Sequence, residues 1–162
     1  MLLLLNCYRF FAQDNFMINI SEITFEETFS VRHIVLRAGK PIETCFFDGD
    51  DLPTTKHFGL FVNKKITGVV SVFQNKNNTF IADNQYQIRG MAVLNEAQKL
   101  SFGKQLVMHC ETYVLEQKGS LIWFNARENA SLFYEKLGYE KVGNPFSITD
   151  IGLHYLMFKK VG

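Results

Sequence analysis

The 162-residue sequence predicts an α/β fold, a single domain with one mixed β-sheet covered by helices. Apolar residues make up 47% of the chain and charged residues 20%, which is enough apolar material for a packed core. A polar break at residues 63–65 separates two apolar segments and indicates a hairpin, so antiparallel pairing is expected in the first half. Strand–helix–strand alternation in the second half favours parallel pairing there.

The hydrophobic pattern predicts the element order β-α-β-β-β-α-β-α-β-β. Strands are predicted at residues 17–25, 57–63, 66–74, 85–94, 121–125, 139–142 and 153–159, and helices at 26–36, 98–117 and 127–137. Thr24 is a candidate N-cap of the first helix, and Gly119 and Gly138 follow the other two helices, as glycine often does. The strand at 121–125 is almost wholly apolar, so it and its Trp123 are predicted to be buried.

Residues 1–16 do not follow this pattern. Their apolar run at residues 2–5 is too short for a signal peptide or a membrane span. Met17 is the first residue of a patterned strand. We therefore expect residues 1–16 to form an N-terminal extension outside the fold and residues 17–162 to form the domain. A peripheral membrane contact of the extension is the alternative.

Charge and cysteine content exclude several classes of protein. The net charge is +1, from 17 basic and 16 acidic residues, and this lacks the basic character of a nucleic-acid-binding domain. The three cysteines, Cys7, Cys45 and Cys110, are odd in number and widely spaced, so neither a disulfide framework nor a metal site is predicted. Such cysteine usage favours a reducing compartment, and a cytoplasmic location is expected.

The segment at residues 89–104 contains the first candidate binding site. A predicted strand is followed by a short loop and then by a helix that begins with small residues, Ser101 and Gly103. A helix N-terminus has unpaired backbone N–H groups and a partial positive charge, and small side chains let a pyrophosphate approach them. Lys104 would add a charged donor. Taken alone, the same pattern is also typical of an ordinary strand-to-helix turn.

A second motif, at residues 133–139, makes the first more specific. It reads Phe-Tyr-x-x-x-Gly-Tyr, and residues 98–103 read Gln-x-x-Ser-x-Gly. Together they resemble the GNAT superfamily of acetyl-CoA-dependent N-acyltransferases, whose motifs are Phe/Leu-Tyr-x-x-x-Gly-Phe/Tyr and Gln/Arg-x-x-Gly-x-Gly/Ala. Two positions depart from the family pattern, because Ser101 replaces a glycine and Arg127 stands where the family often has asparagine.

The resemblance implies an N-acetyltransferase. Such an enzyme transfers an acetyl group from acetyl-CoA, its cosubstrate, to a primary amine of a small molecule or peptide. The departures at Ser101 and Arg127 leave open a catalytically weak module that binds or senses acyl-CoA. The expected partners are acetyl-CoA and an amine acceptor, without nucleic acid and without integral membrane association. A homodimer is left open.

The resemblance also implies which residues bind the cosubstrate. They are the strand end, the loop, the start of the helix and one later asparagine, namely Met91, Ala92, Val93, Gln98, Lys99, Ser101, Phe102, Gly103, Lys104 and Asn129. In the family, the backbone of the residues matching Met91 and Val93 bonds the pantetheine arm as an added strand would. The amide matching Val93 is the usual donor to the oxyanion.

Acetyl transfer also needs a base and an acid. An amine with a pKa near 10.4 is mostly protonated at pH 7, and freeing its lone pair costs about 4–5 kcal/mol. Tyr134 matches the family tyrosine beside the thioester sulfur, which supplies a proton to the leaving thiolate. The alternative for Tyr134 is a core ring. The candidate bases are the acidic and histidine residues Glu43, Asp50, Asp51, His57 and His154, of which Glu43 and His154 are taken as the catalytic candidates.

Two arginines suggest a contact with the acceptor. Arg37 and Arg127 are able to bind a carboxylate in a bidentate fashion. The alternative for both is a surface salt bridge.

Overall fold

The computed structural model describes residues 17–162, so the predicted extension at residues 1–16 lies outside the described residues. The described part contains seven strands: β1 (Ile18–Ile23), β2 (Lys56–Val62), β3 (Lys65–Gln74), β4 (Gln85–Val93), β5 (Leu121–Arg127), β6 (Glu140–Ile148) and β7 (Gly152–Lys160). Its α-helices are α1 (Phe25–Val35), α2 (Phe102–Glu116) and α3 (Ser131–Glu135). Short 3₁₀ turns are found at Ile42–Cys45, Asn95–Ala97 and Glu128–Ala130.

The strands form one mixed sheet in the order β1-β2-β3-β4-β5-β7-β6, which confirms the predicted fold class. Strands β4 and β5 are parallel, and every other neighbouring pair is antiparallel. The parallel pairing expected in the second half is therefore right for β4–β5 and wrong for the last two strands. A tight turn after β6 sends β7 back between β5 and β6, and a hairpin of this kind needs no crossover helix.

Several predicted boundaries need correction. The loop at residues 98–101 precedes α2, because Lys99 and Ser101 both have positive φ angles that a helix excludes. Helix α3 is much shorter than predicted and follows a 3₁₀ turn. Strand β6 continues past Pro145 to Ile148. This is tolerated because β6 is an edge strand, where the missing proline N–H removes no ladder bond.

Helix α1 begins with a complete capping box. The Thr24 hydroxyl accepts a hydrogen bond from the Glu27 N–H at 3.3 Å, and the Glu27 carboxylate accepts one from the Thr24 N–H at 2.7 Å. The predicted cap is therefore confirmed. The helix packs on one face of the sheet, where Val31 contacts a cluster containing Val69 and Ala92.

Helices α2 and α3 cover the opposite face. The buried side of α2 includes Leu106 and Cys110, and Cys110 is fully enclosed. A fully buried leucine such as Leu106 contributes about 1.5–3 kcal/mol. Tyr134 of α3 packs on Phe124 of β5 with ring centroids 4.3 Å apart. The two faces of the sheet are thus covered by different helices, α1 on one and α2 with α3 on the other.

A bulge in β4 opens the sheet. The register of β3 with β4 shifts between Val69 and Ser71, opposite Gly90, whose φ is 62°. A Cβ at Gly90 would lie 2.8 Å from the Phe47 ring and 2.9 Å from Nε of Arg32, so only glycine fits there. The pairing of β4 with β5 ends at Gln87, three residues before the bulge. Beyond that point the two strands diverge.

A buried polar network fixes the segment between α1 and β2. Nη1 of Arg32 donates to Oδ2 of Asp50 at 2.5 Å and to the Cys45 carbonyl at 2.8 Å, while Nη2 donates to Oγ of Ser71 at 2.7 Å. Nδ1 of His57 lies 2.6 Å from the same Ser71 oxygen. Both side chains of the ion pair are fully buried. A buried pair of this kind needs all of these partners, since an unpaired charge there would cost several kcal/mol.

Candidate active site

The divergence of β4 from β5 leaves a cleft of about 1070 Å³. Its walls come from both strands, from the loop and first turn of α2, from α3 and from the β6–β7 hairpin. The cleft therefore runs through the sheet, from the α2 and α3 face to the α1 face. No aspartate or glutamate of the described residues lines it, although six lysines and arginines do.

The N-terminus of α2 faces this cleft without a cap. Ser101, the N-cap residue, has a left-handed backbone (φ 63°, ψ 14°) and makes no side-chain capping bond. The first helical hydrogen bond runs from the Gln105 N–H to the Ser101 carbonyl at 3.1 Å. The amides of Phe102, Gly103 and Lys104 thus precede the ladder and are suited to bind an anion. Helix α1, in contrast, is capped by its own residues.

Basic side chains surround this helix end. Lys99 and Lys104 flank it and line the cleft with exposed side chains. Lys136, beyond α3, lines the cleft as well and was missed by the sequence analysis, although it lies inside the second motif. Gly103 allows a close approach of α2 to α3, because a Cβ there would lie 3.3 Å from the Phe133 ring. This end of the cleft therefore has the charge and the space that a phosphate needs.

The edge of β4 presents backbone groups to the cleft. The Leu94 N–H donates to the Thr67 carbonyl of β3 at 2.9 Å. Backbone groups alternate in direction along a strand, so the N–H groups of Val93 and Met91 point away from β3, toward the diverged β5. Consistent with this, the Val93 carbonyl accepts a hydrogen bond from Nε2 of Gln98 at 3.2 Å. These amides are positioned to bond an extended ligand.

The structure brings nearly all of the predicted site residues to this one cleft. The lining includes Met91, Ala92, Val93, Gln98, Lys99, Ser101, Phe102, Gly103, Lys104, Asn129, Tyr134 and His154. The exception is Glu43, whose side chain is exposed on a 3₁₀ turn and does not line the cleft. Nε of Arg37 donates to the neighbouring Thr44 carbonyl at 3.1 Å and Cys45 is buried, so the turn directs Glu43 outward.

Of the other candidate bases, His154 lines the cleft and the remaining three do not. Asp50 and His57 belong to the buried network, where burial lowers the pKa of His57, and Asp51 is exposed outside the cleft. His154 is nearly buried and lines the cleft. Its Nδ1 lies 2.7 Å from the Gly152 carbonyl, which only accepts, so Nδ1 carries the hydrogen. Nε2 of the neutral ring then keeps a lone pair.

Tyr134 packs in the core and also lines the cleft. Its ring packs against Phe133 and Phe124, with centroids 4.9 and 4.3 Å away, and the residue also lines the cleft. Burial raises the pKa of the Tyr134 phenol above its ordinary value. The hydroxyl therefore stays protonated at neutral pH and acts as a hydrogen-bond donor rather than a base.

The lining also includes large side chains for which the sequence predicted no part in the cleft. Trp123 is buried as predicted, and its indole N–H donates to the Asn75 carbonyl at 2.9 Å, but it also forms part of the cleft wall. Arg89 and Phe47 line the α1 side. A charged residue in the middle of a predicted strand was the available signal for Arg89. The sequence contains no signal for Phe47, because its position depends on how the irregular segment between α1 and β2 folds.

Comparison with known proteins decides the family. The family model described as "Acetyltransferase (GNAT) domain" matches residues 49–158. The chain belongs to the GNAT acetyltransferase family. It is 31% identical over 143 residues to "Uncharacterized N-acetyltransferase YitI" of Bacillus subtilis (strain 168), covering 88% of this chain and 96% of that one.

Solved structures share this GNAT fold. An aminoglycoside 6'-N-acetyltransferase complexed with coenzyme A has a TM-score of 0.71 at 15% identity, covering 88% of this chain and 97% of its own. A GNAT-family acetyltransferase from Staphylococcus aureus Mu50 has a TM-score of 0.69 at 17% identity, covering 90% and 100%. At such identities the likeness concerns the fold. Within residues 17–162, the helices are too short or too polar to cross a membrane.

Ser101→Gly tests the first departure from the GNAT pattern. Ser101 already has the left-handed backbone conformation that glycine adopts freely. The substitution is therefore expected to leave the backbone of the loop unchanged. We expect the affinity for acetyl-CoA, measured by calorimetry, to change by less than about threefold, well under 1.4 kcal/mol. The melting temperature should stay the same or rise, since a non-glycine residue pays about 1–2 kcal/mol in this region. A tenfold tighter complex would show that the serine side chain obstructs the ligand.

Gly103→Val tests the position of the cosubstrate. The valine would place a branched side chain against the Phe133 ring and fill the space between α2 and α3. We expect acetyl-CoA to bind at least about tenfold more weakly, about 1.4 kcal/mol. Gly103→Ala adds a single methyl group and should weaken binding less. Parental affinity in a folded valine variant would contradict this assignment.

Proposed function

We propose that this GNAT protein is an N-acetyltransferase that transfers the acetyl group of acetyl-CoA to a primary amine of a small molecule or peptide. The observation that carries the proposal is the cleft itself. One continuous space joins the uncapped N-terminus of α2 to Tyr134 and His154, and it crosses the sheet where β4 and β5 diverge. A cosubstrate entering from the α2 side and an acceptor entering from the α1 side would meet between the strands.

The residues at the α2 end fit acetyl-CoA as a cosubstrate. Lys99, Lys104 and the first amides of α2 would bind its phosphates, by charge and by the partial positive end of the helix. The outward amides of Met91 and Val93 would bond the pantetheine arm. Acetyl-CoA supplies the acetyl group as a thioester. The Val93 amide would polarise its carbonyl as negative charge develops on the oxygen.

His154 and Tyr134 would handle the protons. Nε2 of His154 would accept the proton that the amine loses as it attacks, since Nδ1 is committed to the Gly152 carbonyl. The Tyr134 hydroxyl would donate a hydrogen bond to the leaving sulfur. Glu43 has no part in this scheme, because its side chain does not line the cleft.

A panel of amines tests the proposal. Purified protein is mixed with acetyl-CoA and one amine at a time, and release of free CoA is followed with a thiol reagent. Acetylation of at least one amine above the rate without protein supports the proposal. Binding of acetyl-CoA without acetylation of any amine would contradict it and would favour the acyl-CoA-binding module.

A further inference from the structure

The acceptor side of the cleft is strongly cationic. Arg37 follows α1, Arg89 lies on β4 and Arg127 ends β5, and all three line the cleft. Within residues 17–162, Arg32 is the single arginine that forms an ion pair with a carboxylate. The cleft lining contributes no acidic side chain to balance the other three. Among the described residues that line the cleft, no carboxylate balances this positive charge.

Two of these arginines interact with uncharged groups, namely backbone carbonyls and an aromatic ring. Nη1 of Arg89 donates to the Asp48 carbonyl at 3.0 Å, and Nε of Arg37 donates to the Thr44 carbonyl at 3.1 Å. Both guanidinium groups also lie over the Phe47 ring, 5.1 and 5.2 Å from its centroid. Carbonyl oxygens and a ring face fix the direction of a guanidinium but do not neutralise it. The remaining N–H groups stay available to an anionic ligand.

The positive charges of the arginines also repel one another. Burial lowers the pKa of Arg37, and the charges of Arg127 and Arg32 lower it further. Burial likewise lowers the pKa of Arg89, and Asp50 and Asp48 offset only part of this effect. Asp50 is already paired with Arg32 inside the protein. An anion bound among the three groups would relieve both the repulsion and the lost hydration.

The sheet register places this charge next to the candidate base. Arg127 of β5 pairs directly with His154 of β7. Paired residues on antiparallel strands share one face with Cβ atoms about 4.5–5.5 Å apart. A compound whose carboxylate and amine are one carbon apart would therefore reach Arg127 with the carboxylate and His154 with the amine.

We propose that Arg37, Arg89 and Arg127 form a subsite for the carboxylate of the acceptor, so that the acceptor is an amine with an adjacent carboxylate, as in an amino acid. The inference rests on the proposed acetyltransferase function and adds the substrate class. It disfavours polyamines and other cationic acceptors, because the described lining offers them three arginines and no carboxylate.

Matched acceptor pairs provide the test with the unaltered protein. Each amino acid is compared with the amine left when its carboxylate is removed, such as phenylalanine with phenethylamine and tryptophan with tryptamine. We expect kcat/KM to be at least about tenfold higher for the preferred amino acid than for its amine, the effect of one charged hydrogen bond. Equal or better use of the amines, of spermidine or of phosphoethanolamine would overturn the proposal.

Variants locate the subsite. In Arg127→Gln and in the double variant Arg37→Gln with Arg127→Gln, KM for the amino acid should rise about 10- to 100-fold, with the KM of acetyl-CoA unchanged. The preference over the decarboxylated amine should shrink in parallel. Lys160→Gln removes an exposed charge from β7 outside the cleft and should change neither value. An equal loss for both members of an acceptor pair would overturn the assignment.

Binding separates failure of this inference from failure of the proposed function. CoA-loaded protein is titrated calorimetrically with N-acetylphenylalanine and with neutral N-acetylphenethylamine. Tighter binding of the anionic compound, lost in Arg127→Gln, supports the subsite even if no amine is acetylated. Equal affinities for the two compounds would reject the subsite even if some amine is acetylated. If a variant fails to fold, the comparison of compounds on the unaltered protein still decides.

Discussion

Tyr134→Phe is expected to lower kcat about 10²-fold while leaving the affinity for acetyl-CoA close to the parental value. The substitution removes the hydroxyl and keeps the ring, so the contacts with Phe124 and Phe133 survive. The loss would fall on kcat because the hydroxyl matters most when charge accumulates on the departing sulfur. Steady-state kinetics with an acceptor from the panel, together with calorimetry, separates the two effects.

The size of the loss distinguishes two roles for this hydroxyl. The ordinary pKa of tyrosine is near 10 and that of a thiol near 8.5, so handing a proton to the thiolate is uphill by about 2 kcal/mol. Burial raises the pKa of Tyr134 and makes the transfer more uphill still. A hydrogen bond to the charged sulfur, worth about 1.5–3 kcal/mol, would account for about 10- to 150-fold. A loss near 10⁴-fold would instead indicate full proton transfer.

A matched control completes this experiment. Tyr155 lies on β7, is partly buried and does not line the cleft. Tyr155→Phe should leave kcat unchanged. Near-parental turnover in Tyr134→Phe would make Tyr134 a structural ring, with water serving the leaving group. Melting temperatures of both variants show whether either change acts through the core.

The parts predictable from the sequence are those fixed by local backbone chemistry. Residues 98–103 connect a strand to a helix that has no side-chain N-cap. The small residues Ser101 and Gly103 suit such a connection. Residues 133–139 likewise combine a cleft-facing tyrosine with a glycine at positive φ after α3. Both motifs are short, and their function depends on neighbours within a few positions. Their resemblance to the GNAT motifs therefore predicted residues that line one end of the cleft.

The α1 side of the cleft was less predictable because its residues come from distant segments of the chain. Arg32 forms hydrogen bonds with Asp50, 18 positions away, and with Ser71, 39 positions away. Because Asp50 is held in this buried ion pair, it is no longer a candidate base. Nothing local distinguishes Asp50 from the exposed Asp51 next to it. The insertion of β7 between β5 and β6 brings His154 opposite Arg127, a pairing that the sequence pattern did not indicate.

His154→Asn is expected to lower kcat/KM about 10²-fold or more at pH 7, within the usual range for loss of a general base. The asparagine amide can take the place of Nδ1 and keep the hydrogen bond to the Gly152 carbonyl. What it lacks is the lone pair of Nε2. Folding and acetyl-CoA binding should therefore survive, and the defect should lie in the reaction of the acceptor. His33→Gln, on α1 and outside the cleft lining, is the matched control and should have parental activity.

The pH dependence of the defect distinguishes a base from a structural residue. At pH 7 an amine of pKa near 10.4 needs about 4–5 kcal/mol to lose its proton, and this cost falls as pH rises. Solvent then supplies the free amine, so the deficit of His154→Asn relative to the parent should shrink steadily between pH 7 and 9.5. A residue that only holds β7 in place would leave the same deficit at every pH. A constant ratio of the two kcat/KM values across that range would therefore remove His154 from the mechanism.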